Sequence, residues 1–128
     1  MLKSYRASCH CAKVVVLVDL DLTQPSYRCN CSICRRNRFW AGMAKPDAFK
    51  LLSGESELTQ YLFGSMQGQH FFCKHCGVRV FGIGPGMYGI NIGCLEGVSE
   101  QELSTIPITY VDGMNDRWND RPPFWQHL

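Results

Sequence analysis

Seven of the eight cysteines in this chain fall into three close blocks, and no other feature limits the fold so strongly. The blocks are Cys9-His10-Cys11, Cys29-Asn30-Cys31-Ser32-Ile33-Cys34 and Cys73-Lys74-His75-Cys76. Side chains on an extended backbone repeat every second residue, so a CxC puts both thiols on one face. A CxxC needs a tight turn, which Asn30 and Ser32 favour in the middle block and Gly77 relieves after the last. The middle block can aim three sulfurs at one metal ion. Structural zinc has four protein ligands, whereas catalytic zinc has three and an open position, so Cys29, Cys31 and Cys34 read as an open zinc site. The outer blocks supply two thiols each and cannot close a site alone. Together, Cys9, Cys11, Cys73 and Cys76 read as a closed, four-sulfur structural zinc. That clip would tie the start of the chain to its middle across a long loop.

The same cysteines could form a disulfide framework in a secreted domain. The N-terminus MLKSYRASCHC lacks the apolar core of a signal peptide, and 128 residues can bury roughly two-thirds of their unfolded surface. Metal binding in the cytoplasm is the expectation. One domain over residues 1–128 is expected from length. The one notable apolar run, Val14 to Val18, is too short to cross a bilayer, so no membrane partner is expected. Two Zn²⁺ held by seven thiolates would move the formal charge from +2 to about −1. A near-neutral protein is a poor non-specific binder of nucleic acid.

Residues 3–8 and 13–20 read as a hairpin around the first block, with Val14, Val15, Val16 and Val18 suited to a buried strand. Ser32 to Asn37 suggests a short helical turn, followed by a strand over 38–43. Phe49–Ser53 and Leu58–Phe63, separated by Gly54-Glu55, read as a second hairpin. A strand enters the CxxCG turn, and another leaves it at Val78–Phe81. Gly82–Gly89 reads as a flexible loop and matches no phosphate-binding pattern. Tyr88–Leu95 reads as a strand whose lone Cys94 is a small buried apolar residue or lines the open site. Ser99 and Glu102 form a capping-box pattern ahead of a short helix, and Pro107–Val111 reads as a last strand. No stretch carries the sustained 3.6-residue period of a long amphipathic helix. The tail, Trp118 to Trp125, is aromatic and proline-bearing; packing on the core, covering a pocket and forming a homodimer contact all stay open.

These blocks resemble the glutathione-dependent formaldehyde-activating enzyme family, which also includes centromere protein V. The matching stretches are Cys9-His10-Cys11, Cys29 to Arg36, Phe72 to Gly77, Asn91 to Gly97, and Asp112-Gly113 with Trp118. The resemblance implies a mainly β, Mss4-like tent of small antiparallel sheets joined by a structural zinc site, with no long core helix. It implies two zinc ions per chain, one at Cys9, Cys11, Cys73 and Cys76 and one at Cys29, Cys31 and Cys34. It also implies a carbon–sulfur lyase acting on a glutathione adduct, or another thiol adduct. S-(hydroxymethyl)glutathione, formed from formaldehyde and glutathione, is the example. The chain departs from the family at Ala12 and near Arg38, where glycine is usual.

A thiol entering the fourth zinc position would bind as thiolate and add negative charge. Arg35 and Arg36, and less directly Arg38, are placed to compensate it and to grip the carboxylates of glutathione. A solvated surface cluster is the plainer reading of these arginines. His10, His70 and His75 are candidates for proton transfer, and none is assigned as the general base. The alternative is a non-catalytic interaction module with two structural zincs. In it, Arg35, Arg36, Arg38, Phe39 and Trp40 would form a basic-aromatic contact surface.

Overall fold

The computed structural model describes residues 1–128 and contains ten strands in two sheets. The strands are β1 (Lys3–Ser8), β2 (Val15–Leu20), β3 (Ser26–Cys29), β4 (Ala41–Ala44), β5 (Phe49–Ser53), β6 (Leu58–Tyr61), β7 (Gln69–Cys73), β8 (Phe81–Gly84), β9 (Met87–Asn91) and β10 (Ile108–Val111). The two helices, α1 (Ser32–Asn37) and α2 (Glu100–Thr105), have six residues each. This is the mainly β, Mss4-like architecture without a long core helix. No helix is long and apolar enough to cross a membrane.

The small sheet has the order β1-β2-β5, and the large one β10-β3-β4-β9-β8-β7-β6. β1 and β2 pair antiparallel from Ser8↔Val15 to Lys3↔Leu20, as the sequence predicts. Val14, just before β2, and Val16, Val18 and Leu20 within it are buried on one alternating face. They meet Ala7, Val80, Phe81 and Ile90 in one core between the sheets. Each of these side chains except Ala7 contributes roughly 1.5–3 kcal/mol through burial. Phe49 on β5 adds a seam, its ring 4.8 Å from Phe81 and 4.5 Å from Tyr88. All neighbouring strands run antiparallel except β10 and β3, which are parallel with Val111 opposite Cys29. The Ser99 capping box is formed in both directions.

Several expectations from the sequence change. Phe49–Ser53 and Leu58–Phe63 do not form a hairpin. Gly54 (φ 93°) and a 3-10 turn over Glu55–Glu57 send the chain from one sheet to the other, so β5 pairs with β2 and β6 with β7. Gly82–Gly89 is no flexible loop. It belongs to the β8–β9 hairpin, turned at Pro85-Gly86 with Gly86 at φ 71°, the pattern of a type II turn. Arg38 and Phe39 precede β4 rather than belonging to it, because Arg38 is left-handed (φ 51°) and ends α1. β9 stops at Asn91, whose side chain caps a 3-10 turn over Ile92–Cys94. The strand after the CxxCG turn begins at Phe81, not Val78.

Candidate metal centres and the pocket beside them

Cys9 and Cys11 lie in the β1–β2 connection, Cys73 ends β7, and Cys76 lies in the turn that follows. Their four sulfurs all lie within 4.8 Å of one another. Cys9 and Cys11 sulfurs are 3.7 Å apart, and those of Cys11 and Cys73 3.6 Å. Tetrahedral zinc with Zn–S of about 2.3 Å places its sulfurs about 3.8 Å apart, whereas a disulfide needs about 2.0 Å. The donor set therefore fits a metal ion and not a disulfide. The N–H of Val14 donates to Cys9 Sγ at 3.3 Å, as suits a thiolate. The cluster pins the tip of the small sheet to the large one.

The second cluster is built where β3 turns into α1. Cys29 ends β3, Cys31 is the N-cap of α1, and Cys34 is in its first turn. The three sulfurs again lie within 4.8 Å of one another, and no fourth Cys, His, Asp or Glu joins them. Cys31 is the thiol most ready to ionise, held far down by hydrogen bonds from Cys29 and Cys34. Hydrogen bonding to Cys29 and Cys31, with burial, pushes Cys34 the other way. The set fits a metal bound by three thiolates.

Two further residues hold this loop, and the sequence reading missed their roles. Asn30 is a clamp as well as a turn former. Its Nδ2 donates to Asp112 Oδ1 at 2.8 Å, and its Oδ1 accepts from the N–H of Met114 at 2.9 Å. Asp112 is buried and also accepts from Asn115 Nδ2. Asn115 and Asn30 hold its carboxyl below the ordinary range. Gly113 beside it closes the other wall against Cys29 and the ring of Trp118. Asp112-Gly113 is the signal that was available.

The basic run divides. Arg35 lines a small cavity of about 10 Å³, the size of one water, together with Cys29, Cys34, Phe39 and Leu128. Arg36 is exposed and donates to the Ser32 carbonyl within its own helix. Arg38 Nη1 reaches the His127 carbonyl at 3.0 Å, which holds the tail over the pocket. Phe39 is buried, and Trp40 Nε1 donates inward to Ser26 Oγ at 2.7 Å. The aromatic half of the imagined contact surface is therefore turned into the protein. The tail also packs Trp125 on Tyr110, with ring centroids 4.8 Å apart.

His75 pairs with Glu57, at the first cluster. His70 on β7 stands nearer the second: burial, then the charge of Arg79, lower its pKa, and Cys31 opposes them. Cys94 lines neither cluster. Burial raises its thiol to about 11, with added pressure from Cys9 and Cys76, and it packs at the edge of the core. Arg79, which the sequence reading passed over, lies with its guanidinium carbon 4.2 Å from the ring centre of Phe39. A single arginine inside Val78-Arg79-Val80-Phe81, just before glycines, was its only mark in the sequence.

The profile of the family described as "Glutathione-dependent formaldehyde-activating enzyme" matches residues 4–112. A crystal structure of a Rhodobacter sphaeroides protein, a structural-genomics target, is similar with a TM-score of 0.73 and 34% identity. The match covers 81% of this chain and 99% of that one. With seven cysteines gathered into a four-sulfur and a three-sulfur cluster, the chain belongs to the glutathione-dependent formaldehyde-activating enzyme family.

Proposed function

We propose that this protein is a zinc-dependent carbon–sulfur lyase that joins glutathione and formaldehyde to S-(hydroxymethyl)glutathione, or runs the reverse. The observation that carries this reading is the second cluster: three convergent sulfurs with no fourth protein ligand. Zinc held there by Cys29, Cys31 and Cys34 would supply an open position that favours the thiolate form of an incoming thiol. Zinc at Cys9, Cys11, Cys73 and Cys76 would be structural. In the reaction the thiolate sulfur attacks the carbonyl carbon, the sulfur–carbon bond forms, and the carbonyl electron pair moves to oxygen. That oxygen takes up the proton the thiol gave away, so atoms and charge balance.

The protein's own residues bind and orient. Arg35, at the pocket, and Arg36, one residue out, are assigned the carboxylates of glutathione, for which guanidinium offers bidentate geometry. His70 is kept neutral by burial and by Arg79 and is not assigned as the general base. All eight thiols are free, which suits a reducing cytoplasm and one domain built around two metals. Exposed Trp118 and Phe124 offer a homodimer surface.

Cobalt substitution tests the reading. Thiolate-to-cobalt absorption bands grow with the number of sulfurs. The expected result is two cobalt ions per chain and bands that intensify as glutathione is added. A spectrum with both centres filled that ignores glutathione would end the lyase reading and leave an interaction module.

A further inference from the structure

Every buried side-chain polar atom without a partner in this molecule belongs to one of two residues: Nδ1 of His70, and Nε and Nη1 of Arg79. Both stand within the electrostatic reach of the three-cysteine cluster. Charge on Cys31 acts on His70, and charge on Cys34 and Cys31 acts on Arg79. Arg79 has no carboxylate partner. The ion pairs of the protein are Met1–Asp21, Arg6–Glu96, Lys74–Glu57 and His75–Glu57. Arg79 is half-buried, with Nε and Nη1 cut off from water, and a cation held so without an anion is unfavourable.

The fold nonetheless makes room for it. Gly82 and Gly89 face each other across β8 and β9. A Cβ on Gly82 would come within 2.3 Å of Arg79 Nη2, and one on Gly89 would lie 3.5 Å from the Phe39 ring. The paired glycines thus leave a shallow floor on which the Arg79–Phe39 stack lies. Phe39 in turn lines the cavity shared with Cys29 and Cys34.

We propose that Arg79 is the built-in counter-charge of the Cys29–Cys31–Cys34 centre, and that it stabilises the thiolate ligand the centre takes up. The thiolate part rests on the lyase reading. Three thiolates and a divalent metal leave the centre singly negative, and a fourth thiolate makes it doubly negative. Water screens the exposed arginines of α1. A guanidinium with two buried, unpartnered N–H groups acts at lower dielectric and so counts for more. It answers to the sulfur, so it serves any small thiol and not glutathione alone.

The test uses the full chain loaded with cobalt, in wild type, Arg79→Met and Arg79→Lys. Each is titrated with glutathione and with 2-mercaptoethanol, which has no carboxylate. The four-sulfur centre reports that the fold is intact. Arg79→Met is expected to lose at least tenfold in affinity for both thiols, and Arg79→Lys to recover most of it. Unchanged affinities would overturn the proposal. So would loss of glutathione binding alone, which would make Arg79 a carboxylate receptor. If the wild type binds no thiol, the lyase reading fails by itself. The counter-charge is then read from chelator competition, where Arg79→Met should hold cobalt at the three-cysteine centre at least tenfold more weakly. Equal retention would overturn it. Should Arg79→Met not fold, Gly82→Ala keeps the charge but displaces the guanidinium. It should weaken both thiols likewise, and wild-type affinity there would overturn the assignment.

Discussion

A Cβ atom placed on Gly113 would lie 2.5 Å from the sulfur of Cys29 and 2.8 Å from the ring of Trp118. The turn after β10 therefore comes as close to the three-cysteine cluster as a backbone can. Asp112 holds it there through Asn30, the residue between Cys29 and Cys31. Gly113→Ala is expected to push the turn away and spoil the second centre while leaving the first intact. Metal analysis of the purified variant should fall from two ions per chain toward one. Retention of two with wild-type thiol binding would show that the turn yields freely.

The two centres should separate stability from binding. Cys11→Ser removes one ligand from the cluster that joins the two sheets, so chelator-like loss of stability is expected, with a large drop in Tm. Cys31→Ser should abolish thiol binding at the second centre and lower Tm far less. Thermal unfolding beside glutathione titration checks both. Equal Tm losses would mean that the second centre is also a structural clip.

Ala12 and Arg38 both have a left-handed backbone, with φ of 63° and 51°. Glycine takes that conformation without the clash a Cβ suffers. Ala12→Gly is expected to stabilise the protein by about 0.5–1 kcal/mol, less the greater freedom of the unfolded chain. Urea denaturation should show a higher midpoint at unchanged m-value. A lower midpoint would contradict this account.

Asp112 gives a pH dependence of known sign. Its carboxyl is held below the ordinary value by Asn115 and Asn30. The unfolded carboxyl titrates near about 3.9. Its contribution to stability is therefore full well above that pH and is lost as pH falls through the lower, folded value. Wild type should exceed Asp112→Asn in stability at neutral pH, and the gap should close in acid. Measuring both proteins in the same buffers cancels the acid release of metal from the thiolates. A gap that persists in acid would show that the carboxylate charge is not what the two asparagines recognise.

Arg38 holds the tail over the pocket by its bond to the His127 carbonyl, and Leu128 closes the cavity beside Cys29 and Cys34. The cavity under the tail has room for about one water, so a thiol entering from this side would have to displace the tail. Arg38→Ala should speed glutathione association severalfold in stopped-flow absorbance of the cobalt protein. An unchanged rate would place the entry path elsewhere.

By itself, the sequence determined the β1–β2 hairpin, the capping box of α2 and the spacing of the cysteines. Each of these is local: an alternating valine run, a four-residue cap, thiols two or three residues apart. Tertiary structure alone decided where β5 and β6 pair, because one left-handed glycine sends the chain between sheets. It alone turned the glycine-rich stretch into β8 and β9, since those glycines answer to the bulk of Arg79 and Phe39. The same holds for Gly113 against Cys29, residues 84 positions apart. Spacing can say which thiols could share a metal, but which cation, wall and cover surround them depends on packing between distant segments, and no local pattern encodes it.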